Sequence, residues 1–129
     1  MRWFSCLFVL TVLWMSCQPV ATGPKSDSSS KKTHSSLPFD PGGELVYTKH
    51  ARCRMDCRHI TAKEIHEILD SGTLNMQKSD PNGRPDPKYA VDGFTTEQQH
   101  LRVVVAPERN KLIVITCIEL NVEWTCHCN

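Results

Sequence analysis

No segment of this chain is long and apolar enough to span a bilayer, no charge of either sign dominates it, and its folded part contains no internal repeat. The longest apolar run, residues 3–15, is broken only by Ser5 and Thr11. It falls short of the ~20 residues a membrane-crossing helix requires. Lys and Arg number 15 against 14 Asp and Glu. Without Arg2, which lies in the segment predicted below to be removed, the balance is neutral. A neutral chain lacks the long-range attraction that brings proteins to nucleic acid, so nucleic acid is not the expected partner. Residues 18–36 are nearly devoid of apolar side chains and rich in Ser, Lys, Pro, Gly and Thr.

The short apolar run has a use of its own. Preceded by Met1-Arg2 and with no acidic residue before position 18, it suits the h-region of a secretory signal. It ends in Trp14-Met15-Ser16-Cys17, which resembles the lipobox of bacterial lipoproteins, with Trp14 where that motif usually has leucine. The resemblance implies cleavage before Cys17 and a diacylated Cys17 as the new N-terminus; an ordinary signal peptide cleaved nearby is the alternative. Residues 18–43 cannot bury enough apolar surface to offset chain entropy and are expected to form a disordered tether. The organisation predicted is therefore a signal at 1–17, a tether at 18–43 and a small domain at 44–129. A lipid-anchored protein in the periplasm or cell envelope of a bacterium is expected, with the membrane as its one partner of known kind.

Within the domain the strongest local signal is Thr61 followed three residues later by Glu64, a capping box flanked by the staple Ile60 and Ile65. Ile65, Ile68 and Leu69 then form one apolar face, and Ser71-Gly72 gives a stop. A helix at 48–58 should turn into a second at 62–70. After Gly72 the period becomes two. Strands are expected at 73–78, 89–94 (with Gly93 marking a bulge), 100–106 and 111–118, the last a central one. Residues 79–87 and 107–110 read as loops, and residues 122–126 as a final edge strand. Two helices on one face of a three- to five-stranded antiparallel sheet make an α+β domain.

Nine residues, His50 to Arg58, hold two cysteines, three arginines, a histidine and an aspartate. Wound as a helix, His50, Arg54 and Arg58 form one stripe and Cys53 and Cys57 its neighbour. Local pairing of Cys53 with Cys57, or of Cys126 with Cys128, is disfavoured by geometry. Cross-pairing of helix and tail would leave Cys117 as a buried thiol. Alternatively Cys53, Cys57, Cys126 and Cys128 could supply four thiolates to zinc or a soft metal, His127 replacing one, although the spacing is not that of a zinc-ribbon knuckle. Unpaired packing thiols are the third alternative, and in every case helix one and the tail should be neighbours. A histidine beside arginines is also what phosphodiester cleavage would use, His for the proton and Arg for the developing anion. His100 and Arg102 could complete such a site, and Tyr89 could contribute a hydroxyl.

His50-Ala51, Arg54, Arg58, Ile60, Glu64-Ile65 and Ile68-Leu69 before Gly72 resemble the opening of a family of small bacterial domains of unknown function. Tyr89, Val103-Val104-Val105 and Val114-Ile115-Thr116 are similar to its later half. The resemblance spans residues 47–118. It implies a fold grouped with barnase, EndoU, the colicin RNases and RelE-type toxins, and it carries His50, Arg54 and Arg58 over as the matching polar positions. Cys53, Cys57, the Cys126-His127-Cys128 tail and the signal segment depart from the family pattern. An anchored protein would be held away from cellular RNA. The first expectation is therefore a binding or structural domain, with an RNase-like effector and a metal-binding lipoprotein as alternatives.

Overall fold

A computed structural model describes residues 37–128 of the chain. The signal, Cys17 and the tether to residue 36 lie outside the described residues. The element order is β1 (Glu44–Tyr47), α1 (Lys49–Arg58), α2 (Ala62–Ser71), β2 (Thr73–Asp80), β3 (Lys88–Phe94), β4 (His100–Glu108) and β5 (Lys111–Glu119). The five strands make one sheet in the order β1-β5-β4-β3-β2, an α+β arrangement with both helices on one face.

The sheet is mixed rather than wholly antiparallel. β2 to β5 form the expected antiparallel meander, but β1 lies parallel to β5, Leu45 opposite Leu112 and Tyr47 opposite Val114. β5 thereby becomes an interior strand, as its two apolar faces require. Alternation aims Val91, Leu101, Val103, Val105, Val114 and Cys117 at the helices, and all six are fully buried. The register of β4 and β5 slips between Val104 and Val105, leaving Ile115 as the extra residue.

α2 starts as its sequence dictates: Thr61 Oγ1 accepts from the Glu64 amide and the Glu64 carboxylate accepts from the Thr61 amide at 2.6 Å. Its Ile65, Ile68 and Leu69 are buried against β3 and β4. The stop at Gly72 reflects close approach. A Cβ there would lie 2.7 Å from Val91 Cγ1, and one on Gly93 would meet Gly72 Cα at 3.1 Å. Gly93 therefore marks where α2 touches the sheet and not a bulge, for it pairs regularly with Leu101.

Two segments depart from expectation. Leu37 and Phe39, placed by composition in the tether, pack against the core, Phe39 with its ring 5.6 Å from that of Tyr89. Residues 122–126 pair with no strand; their path is set by bonds to α1.

Candidate functional site

α1 has almost no apolar face: its buried residues are Ala51 and Arg58. Ala51 lies in the core and Met55 packs against it, and the rest of the helix's fastening is polar and covalent. Thr48 caps its start, accepting from the Ala51 amide at 3.0 Å and donating to the Ile115 carbonyl at 3.0 Å, so the bulge in β5 supplies the acceptor. At its end His59 sits in the left-handed region at φ 55°, and the Ile60 amide reaches back to the Met55 carbonyl.

Along α1 the tail runs in the opposite direction. Cys53 is bonded to Cys128 and Cys57 to Cys126, with Cα–Cα separations of 5.7 and 6.0 Å. Trp124 donates from Nε1 to the Glu119 carboxylate at 2.8 Å and presents itself edge-on to His59 at 5.9 Å. Of the two disulfide schemes weighed from sequence, cross-pairing of helix and tail is the one formed. Cys117 is left as a free, buried thiol. In this oxidised state Cys53, Cys57, Cys126 and Cys128 have no thiolate to offer a metal, and no group of three or more candidate ligands is assembled among the described residues.

The His/Arg stripe divides into two parts. Arg54 donates from Nε to His50 Nε2 at 3.3 Å, both side chains half-buried. Arg58 is only 9 % exposed and donates from Nη1 to the Cys117 carbonyl at 2.6 Å, while its Nε has no partner among the described residues. Burial holds its guanidinium below the usual arginine range, the like charge of Arg54 acts in the same direction, and Cys117 and Glu119 oppose both. Burial likewise pushes the Cys117 thiol up to about 11, against the pull of Arg58 and Arg54. Tyr47 is raised too, by burial and then by Cys117. Neither arginine forms an ion pair with a carboxylate among the described residues; the ion pairs present are Lys63–Glu67, Arg102–Asp92 and Lys111–Glu44.

His100 does not join this group. Leu101 faces the helices, so His100 and Arg102 point to the opposite face of the sheet. There His100 stacks on Phe94 at 4.3 Å, and Arg102 forms a bidentate pair with Asp92 at 2.7 Å for each bond, Asn75 adding a third donor to the carboxylate. That pairing holds Asp92 below the usual carboxylate range. The alternation of Leu101, Val103 and Val105 already contained this separation. What sequence reasoning missed was Arg58 as a buried anchor. A helical stripe of three cationic residues does not reveal that one of them meets a backbone carbonyl 59 residues away.

The sequence profile of the domain-of-unknown-function family DUF4258 matches residues 47–119, which run from Tyr47 at the end of β1 through β5. The chain belongs to that family. The DUF4258 span includes Cys53, Cys57 and the whole His/Arg stripe, whereas Cys126 and Cys128 lie beyond it. No curated protein and no solved structure matches the chain.

Proposed function

We propose that this DUF4258 domain is an extracytoplasmic binding module, anchored through lipid on Cys17, that takes an anionic group at Arg54. The observation that carries this reading is the state of Arg54: half-buried, oriented by His50 and without a carboxylate partner among the described residues. A guanidinium held in this way keeps its remaining donors for a planar or tetrahedral anion. The two helix–tail disulfides favour an oxidising compartment outside the cytoplasm.

Titration of the full oxidised chain with inorganic phosphate and with short phosphorylated peptides tests the reading. Arg54→Ala should weaken binding by about tenfold or more, in keeping with loss of a charge-assisted hydrogen bond, and Arg54→Lys should restore part of it. Equal binding by unmutated and Arg54→Ala chains would remove the proposal.

An RNase-like activity, which the grouping with barnase and RelE-type folds would suggest, is favoured by the His50–Arg54 contact alone. Cleavage needs a group to take a proton and another to give one, and His100 faces away from this pair. RNA cleavage by the unmutated chain, abolished by His50→Ala, would replace the binding reading with this one.

A further inference from the structure

We propose that the two disulfides are one of two states of the same four cysteines, and that on reduction Cys53, Cys57, Cys126 and Cys128 form a tetrathiolate site for zinc or a similar borderline cation. The inference stands apart from the anion reading at Arg54. It rests on how compactly the sulfurs are gathered: one turn of α1 and three residues of tail supply all four, in two neighbouring bridges.

Cys53 and Cys57 are four residues apart on a helix, a rise of about 6 Å. Tetrahedral zinc with Zn–S bonds of about 2.3 Å places its sulfurs about 3.8 Å apart. Side chains four apart on a helix have Cβ atoms about 5–6 Å apart, so rotation about their side-chain bonds can bring the two helix sulfurs to that separation, while each bonded pair would open by about 2 Å. Neither change requires the helix to unwind.

The tail would remain in reach once the bridges open. Trp124 is still tied to Glu119 and rests against His59, and neither contact involves a sulfur. A zinc tetrathiolate carries two negative charges, and α1 supplies cations beside it: exposed Arg52, half-buried Arg54 and buried Arg58, with Asp56 the sole acid on the helix. Those cations favour the thiolates that the metal needs. His127, between two cysteines that face the helix, is not required as a ligand.

The chemistry balances with a dithiol as reductant. Each protein disulfide takes two electrons and two protons to become two thiols, and the dithiol is oxidised to its own disulfide. The four thiols then lose four protons to one divalent cation, forming four metal–sulfur bonds. A small-molecule disulfide reverses the sequence: two equivalents take four electrons from the four thiolates and, with four protons, become four thiols, while the two protein disulfides re-form and the divalent cation is released.

The test uses the full chain, reduced anaerobically with a dithiol, freed of reductant and titrated with cobalt(II) as a visible probe, then with zinc. One cobalt per chain with the intense absorption of tetrahedral thiolate coordination is expected, displaced by one zinc and confirmed by native mass spectrometry. Cys53→Ser/Cys57→Ser should abolish it, whereas Cys117→Ala and His127→Ala should leave it intact. Retention of no metal by the reduced chain would overturn the proposal. So would binding that survives Cys53→Ser/Cys57→Ser, binding that requires Cys117 or His127, or equal binding by the oxidised chain.

Discussion

α1 and α2 are each ten residues long and lie on the same face of one sheet, yet they are fastened by different physics. α2 carries an apolar stripe and docks by burying Ile65, Ile68 and Leu69. α1 reaches the core only through Ala51 and Met55. It is tied by the Thr48 cap to β5, by Arg58 to the Cys117 carbonyl and by two disulfides to the tail. A helix freed from the need for an apolar face can devote its side chains to charge and thiol chemistry, and α1 carries both. The covalent tail is what makes a cationic helix compatible with so small a core.

The contrast can be broken most forcefully at the bridges. Their sequence separations are 75 and 69 residues. Loop-closure entropy assigns about 4 kcal/mol to the inner bridge, and about 2–3 more to the outer one because the inner already closes most of the loop. Replacing Cys53 and Cys57 together by Ser should therefore cost roughly 6 kcal/mol in urea unfolding under oxidising conditions, a large share of a domain's stability. Next in size is the α2 side. Ile68→Ala should cost about 3 kcal/mol as a cavity in the core, measured in the same way and with the disulfides intact. A larger loss from Ile68→Ala than from the paired serine variant would invert the comparison.

A smaller effect separates the two sides by pH. Cys117 lies beneath α1, and its thiol has an ordinary value of 9.0 raised to about 11 by burial. A group raised in the folded state contributes stability that is complete below the unfolded value and lost as pH rises through the folded one. Thermal melts between pH 8 and 11 should therefore fall more steeply for the native chain than for Cys117→Ala. Parallel curves would mean that Cys117 is not held neutral beneath α1.

Much of this architecture is legible in the residues. Capping box, staple and apolar spacing announce α2, alternation announces β4 and β5, and cysteine geometry favours cross-pairing of helix and tail. What was not legible depends on partners distant in sequence. Glu44–Tyr47 is too short to declare itself and becomes a strand only because β5 offers a parallel edge. Leu37 and Phe39 sit at the end of a polar stretch, and only the folded core shows where they rest. Residues 122–126 look strand-like by composition, but bonds from Cys126 and Cys128 direct them along α1 instead. At the candidate site, the stripe of His50, Arg54 and Arg58 was visible. Its division into an oriented pair and a buried anchor was not, because a β5 carbonyl decides it.

Amide hydrogen exchange, followed residue by residue with the disulfides intact and then reduced in the presence of a chelator, tests the central claim most directly. Amides of α1 should lose protection on reduction by a far larger factor than those of α2, whose apolar contacts are untouched. Equal loss in both helices, or α1 protection that is unchanged by reduction, would contradict it.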